Sequence, residues 1–166
     1  MEFKIKAIIL IVLTVFLGLA FFYSTEVLFA PSQFKILGQE VCFKSDCFLV
    51  QLAKTPAQRE TGLMYKEKLD KNNGMFFVFD NESIYPFWMK NTLIPLDIIW
   101  IDKNYKVVFV FEKAQPCLPD RQAGNQVNCP LIVPSKKASY VLEINAGLSK
   151  EFDIKTGDSV QVTPGL

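Results

Sequence analysis

Leu96 to Glu112 reads LDIIWIDKNYKVVFVFE. Two nearly unbroken apolar runs, Leu96 to Ile101 and Val107 to Glu112, flank the turn-forming trio Asp102-Lys103-Asn104. β-Branched and aromatic residues on both sides of such a turn predict a β-hairpin. The same signal recurs outward from it. Gly74 to Phe79 reads GMFFVF, Tyr140 to Ile144 reads YVLEI, and Ser159 to Val162 closes the chain after a Gly157-Asp158 turn. Upstream, Glu40 to Phe43 and Phe48 to Ala53 flank a short polar segment, Lys44-Ser45-Asp46. One helix stands out. Thr55 offers a capping hydroxyl, Pro56 suits the first helical position, and Gln58 completes a capping box. It is predicted from Pro56 to about Tyr65, with Ala57, Thr61 and Met64 on one face, and a second short helix is expected at Leu148 to Phe152. These elements predict a mainly β sandwich or barrel with one substantial helix packed on it.

The chain begins differently. Ala7 to Tyr23 reads AIILIVLTVFLGLAFFY, free of charge and preceded by Lys4 and Lys6. As a helix it would span roughly 26 Å, close to the hydrocarbon core of a bilayer at about 30 Å. Residues 1–30 are therefore expected to form a short cytoplasmic tail and a transmembrane signal-anchor, with residues 31–166 as an extracytoplasmic β domain. The competing reading is a cleaved signal peptide and a secreted domain, but Leu28 stands where a cleavage site prefers a small residue.

Cys42, Cys47, Cys117 and Cys129 fit an oxidising compartment. Four cysteines allow three pairings, of which 42–47 and 117–129 close two short local loops. A four-thiolate metal site is disfavoured, because C-x4-C and C-x11-C are not the usual C-x2-C spacing. Met64, Met75 and Met89 could offer thioethers to Cu(I), although core packing is the commoner use of methionine. No cofactor is expected.

Composition excludes several classes of function. The 166 residues include no His, which removes His-based triads and His-ligated zinc. Without residues 1–23 the chain carries 16 basic and 16 acidic residues, since Lys4, Lys6 and Glu2 leave totals of 18 and 17. A neutral body lacks the basic excess that nucleic-acid binding needs.

The residues with chemistry to offer concentrate in Phe87-Trp88-Met89-Lys90-Asn91-Thr92, bracketed by Pro86 and Pro95. The stretch suits a rigid loop at the mouth of a site, with Trp88 as a stacking face and Lys90, Asn91 and Thr92 as hydrogen-bond donors. Its alternative use is as a plug, Trp88 and Met89 closing one end of a barrel. Asp97 and Glu143 are carboxylates within apolar strands, so each must face solvent, pair with a cation or occupy a pocket. Arg59 and Lys90 are the candidate partners of Asp97.

These stretches together resemble the family catalogued as domain of unknown function 192. The resemblance rests on Arg59-Glu60-x-Gly62-Leu63-Met64, Gly74 to Phe79, Phe87-Trp88-Met89-Lys90-Asn91-Thr92-x-x-Pro95-Leu96-Asp97, Pro116-Cys117, Cys129-Pro130, Tyr140-Val141-Leu142-Glu143-x-Asn145-Ala146-Gly147 and Gly157-Asp158. It covers residues 48 to 163. It implies a small jelly-roll-like β domain with one helix on the sheet, exported in many members, and supplies no activity. The Cys42/Cys47 pair and the N-terminal apolar run depart from the family pattern.

The expectation is thus a membrane-anchored, non-catalytic binding module for an envelope glycan, a peptide or a partner protein. Its candidate site is Arg59, Trp88, Met89, Lys90, Asn91, Thr92, Asp97 and Glu143. Two alternatives are a hydrolase using Asp97 and Glu143 as paired carboxylates and a structural or assembly protein of the membrane.

Overall fold

The computed structural model describes residues 39–118 and 128–163. The expected signal-anchor lies outside the described residues. Among those described, no helix is long and apolar enough to cross a membrane.

Seven strands form one sheet in the order β5-β4-β6-β3-β2-β1-β7. They are β1 (Gln39–Phe43), β2 (Asp46–Ala53), β3 (Asn73–Ser83), β4 (Leu96–Ile101), β5 (Val107–Ala114), β6 (Ala138–Asn145) and β7 (Val160–Val162). Each corresponds to a stretch whose pattern predicts a strand. In the first hairpin Cys42 stands directly opposite Cys47 and Phe43 opposite Asp46, so the turn is Lys44-Ser45 and Asp46 already belongs to β2. The β4–β5 turn is held by Asp102, whose Oδ1 accepts from the Asn104 (2.8 Å) and Lys106 (2.9 Å) amides.

Neighbouring strands are antiparallel except β2 and β3, which run parallel with Val50 opposite Gly74. The connection between that pair carries helix α1 (Pro56–Thr61). The sheet curls until its two edges meet at one end. There Lys106 pairs with Ser159, the Val107 amide donates to Asp158 O (2.9 Å), and the Val160 amide donates to Tyr105 O (2.8 Å).

Of the sandwich or barrel expected from the sequence, the structure takes the single-sheet form, a curled half-barrel. The helix departs from its predicted bounds: it is six residues long, not ten, and buries none of its own residues. The capping box at Thr55 and Gln58 forms as expected, but Gly62 takes φ 48° and ends the helix at once. A second helix, α2 (Leu148–Glu151), follows β6.

The curl creates two apolar layers. On the concave side Phe43, Phe48, Phe76, Ile99, Leu142 and Ile144 pack together. On the convex side Met75, Phe77, Ile98, Trp100 and Val141 pack against Met89 and Leu63 from the loops. β4 is therefore buried at all six positions, which is why its sequence shows an apolar run instead of alternation.

Candidate functional site

The site grows from the convex layer. β3 places Phe77 and Phe79 two residues apart on that face, and β6 places Glu143 on the same side, opposite Met75 and Ile98. The segment between β3 and β4, residues 84–95, folds back over them. Trp100, fully buried, donates from Nε1 to Tyr85 O (2.9 Å). Phe87 exchanges two backbone hydrogen bonds with Ile132, at 3.0 and 2.8 Å. The Cys117 amide donates to Met89 O (3.1 Å), the Asn91 amide to Cys117 O (2.9 Å) and the Tyr65 amide to Asn91 O (2.8 Å). The loop is thus tied to three other chain segments. One of them is stapled by the Cys117–Cys129 disulfide, and the second bond joins Cys42 to Cys47.

Between this loop, the C-terminal end of α1 and the convex face lies a cavity of about 470 Å³. Its walls are aromatic: Phe77, Phe79, Tyr85, Phe87 and Trp88 line it. Phe77 and Phe87 meet edge to face at 4.9 Å, and Phe79 stacks on Tyr85.

Two cations border the cavity, each over a ring. The Arg59 guanidinium sits 5.1 Å from the Phe79 centroid and donates to Val78 O (2.9 Å), while Lys90 Nζ sits 5.4 Å from the Trp88 centroid. Glu143 also lines the cavity. It is 5% exposed and has no hydrogen-bond or ion-pair partner among the described residues. Burial alone pushes its carboxyl up to about 8. Thr92, equally buried, borders the same space, and its hydroxyl likewise has no partner among the described residues.

The sequence-predicted residues separate into three groups. Arg59, Trp88, Lys90, Thr92 and Glu143 converge on the cavity. Met89 and Asn91 face elsewhere. Met89 is 4% exposed and plugs the convex core, whereas its neighbour Trp88 is 39% exposed, so the loop acts as plug and rim at adjacent positions. Asn91 takes φ 56° and donates from Nδ2 to the Tyr65 hydroxyl (2.9 Å), which ties the loop to the chain after α1.

Asp97 is the clear departure. It points to the concave side and pairs with neither Arg59 nor Lys90. Its Oδ2 accepts from the Gly147 amide (2.9 Å), the Ser149 amide (2.8 Å) and Ser149 Oγ (2.6 Å), and its Oδ1 accepts from the Lys113 amide (2.8 Å). These bonds fasten the start of α2 to the sheet and leave Asp97 no free role. Because Asp97 and Glu143 face opposite sides of the sheet, they cannot flank one substrate, and the paired-carboxylate hydrolase falls.

All four cysteines are disulfide-bonded, which withdraws the thiolates that a copper or four-thiolate site would use. The aromatic walls Phe77, Phe79, Tyr85 and Phe87 were not among the candidates. Their signal was present in GMFFVF, where alternate residues share a face.

A family model described as Uncharacterized ACR, COG1430 (DUF192) matches residues 40–162. The chain is similar to a UPF0127 protein of Thermococcus kodakarensis, 31% identical over 69% of this chain and 65% of that one. It thus spans slightly less than two thirds of the length of this curated relative. It also resembles the crystal structure of a protein of unknown function from Novosphingobium aromaticivorans DSM 12444, with TM-score 0.63 and 32% identity over 74% of this chain and 82% of that one. A second crystal structure, from Sinorhizobium meliloti 1021 and provisionally titled a transcription regulator, aligns with TM-score 0.64 and 31% identity over 75% of this chain and 91% of that one.

Proposed function

The chain belongs to the DUF192 family, and we propose that it is a non-catalytic binding module, on the geometry of its convex face, and that the apolar run Ala7 to Tyr23 anchors it at the membrane with the module on the extracytoplasmic side. One observation carries the reading. An aromatic cavity of about 470 Å³ holds a buried carboxyl, Glu143, that no described protein group satisfies. The carboxyl oxygens are open to the cavity, so a ligand that enters it can reach them in place of solvent.

The exposed Trp88 ring extends the apolar wall to the rim, where a sugar ring or a peptide side chain can stack. The two disulfides support an oxidising compartment. The regulator title of one structural neighbour is not carried over, because residues 24–166 hold equal numbers of acidic and basic residues.

The test is thermal unfolding of the full chain in detergent against a panel of glycans, peptides and small metabolites. A ligand at about 100 times its Kd adds roughly 2.7 kcal/mol to stability, a shift of several degrees. The shift should vanish in Trp88→Ala or Glu143→Gln. No shift across the panel, with the chain folded, would remove the proposal.

A further inference from the structure

We infer that the cavity takes a small primary monoamine on an apolar body, its ammonium group against the Glu143 carboxyl. The inference rests on the binding-module reading and specifies its ligand.

The argument starts from what Glu143 lacks. It is 5% exposed, and among the described residues nothing donates to it. The two cations that line the same cavity are engaged elsewhere: Arg59 with the Val78 carbonyl and the Phe79 ring, Lys90 with the Trp88 ring. An ionised carboxylate only accepts hydrogen bonds, and an ammonium only donates them. A ligand ammonium therefore meets the unmet need of this side chain, and the Thr92 hydroxyl on the same cavity offers a further acceptor. A ligand carboxylate or phosphate brings no donor of its own and forms no ion pair with this side chain.

The remaining walls select the rest of the molecule. Phe77, Phe79, Phe87 and Leu63 offer apolar surface with no hydrogen-bonding side chain, which suits an aryl or branched alkyl body. Ring faces around a buried carboxyl also favour a cation over a neutral group of the same shape. Arg59 and Lys90 at the border repel a second positive charge, so a monoamine fits better than a polyamine.

Burial keeps the carboxyl of the empty cavity protonated near neutral pH. An entering ammonium replaces that proton, which leaves to solvent, and charge balances. The other ionisable groups that line the cavity are Arg59, Glu60, Tyr85 and Lys90.

The experiment uses three probes with one ring and different heads: benzylamine, benzyl alcohol and phenylacetate. Each is titrated calorimetrically into the full chain in detergent. Benzylamine should bind about tenfold more tightly than benzyl alcohol, a gap of about 1.4 kcal/mol, and phenylacetate should not bind. Glu143→Gln should weaken the amine about tenfold and leave the alcohol within about threefold. Alcohol binding equal to or tighter than amine binding in the wild-type chain overturns the inference, whether or not the variant folds. So does amine binding that Glu143→Gln leaves intact. If the glycan and peptide panel stabilises the chain while benzylamine does not bind, the amine inference fails and the binding module stands. If neither binds, both fall.

Discussion

Asp97 and Glu143 sit on adjacent strands one register step apart, Asp97 opposite Ile144 and Ile98 opposite Glu143, and they face opposite sides of the sheet. The step decides their chemistry. Side chains alternate across a strand, so a displacement of one residue sends one carboxylate into the concave layer and the other into the convex layer. Both are buried, yet one is saturated with hydrogen bonds and the other has none among the described residues. In a sequence these are two acidic residues in apolar strands. In the fold, one is part of the scaffold and the other is part of the cavity.

Replacing Asp97 should damage the fold. Asp97→Ala leaves three backbone amides and the Ser149 hydroxyl without their acceptor. Stranded buried donors cost about 1–3 kcal/mol each, with incomplete additivity. A loss of about 4 kcal/mol is expected in urea unfolding. Asp97→Asn should lose about 2 kcal/mol, because its amide group turns a donor toward donors. A neutral outcome for both variants would contradict the anchoring role.

Glu143 should make stability depend on pH. Its carboxyl rises from 4.5 to about 8 on folding, through burial. Between those values the native state holds a proton that the unfolded state has released. Stability from this group is therefore complete below about pH 4.5 and is lost as pH rises toward about 8, where the loss levels off. Glu143→Gln removes this dependence. The variant should match the wild-type chain near pH 4.5 and exceed it by a few kcal/mol near pH 8.5. Urea midpoints for the two chains across this range provide the comparison. Parallel curves would show that the carboxyl is satisfied by something other than burial and a proton.

Much of this arrangement was legible before the fold. All seven strand segments could be placed, because runs such as LDIIWI and GMFFVF combine strand length, β-branched and aromatic residues and flanking turn residues. The capping box placed the start of α1 at Pro56. Its end was not legible, since Arg59 to Met64 continues a helical pattern and only the left-handed φ of Gly62 interrupts it. The sheet order also lay beyond the pattern. β2 pairs with β3 in parallel and β4 with β6 across the β5 excursion, and a strand's period does not name its neighbour. Five of the eight candidate site residues line one cavity: Trp88, Lys90 and Thr92 from the loop whose composition stood out, Arg59 from α1 and Glu143 from β6. Asp97 was misplaced because face assignment needs register, and Met89 and Asn91 because adjacent loop residues can point in opposite directions.

Trp88 and Met89 should separate affinity from stability. Trp88 is 39% exposed at the rim and Met89 is 4% exposed in the convex core. Met89→Ala empties a packed position and should cost about 2–5 kcal/mol. Trp88→Ala removes a ring that is only partly buried and should cost about 2 kcal/mol, while lowering ligand affinity. Thermal unfolding of each variant, with and without a ligand found in the panel, tests the division. Equal destabilisation by both changes would mean that Trp88 is a structural plug after all.

Gly74 tests how closely the floor of the site is built. It stands opposite Ile144 at the β3–β6 pairing, and a Cβ added there would lie 2.7 Å from the Glu143 carbonyl oxygen and 3.2 Å from the Ile144 side chain. The carbonyl belongs to a central strand paired on both sides, so it has nowhere to retreat. Gly74→Ala must push β3 and β6 apart, and backbone displacement in a packed core costs about 1–3 kcal/mol. The strain falls on the residue that carries the cavity carboxyl. Gly74→Ala should therefore lower the urea midpoint and also shift the pH profile of stability assigned to Glu143, because a loosened pair admits water to the carboxyl and eases its ionisation. A lower midpoint with an unchanged pH profile would show that the sheet yields elsewhere and that Glu143 keeps its seat.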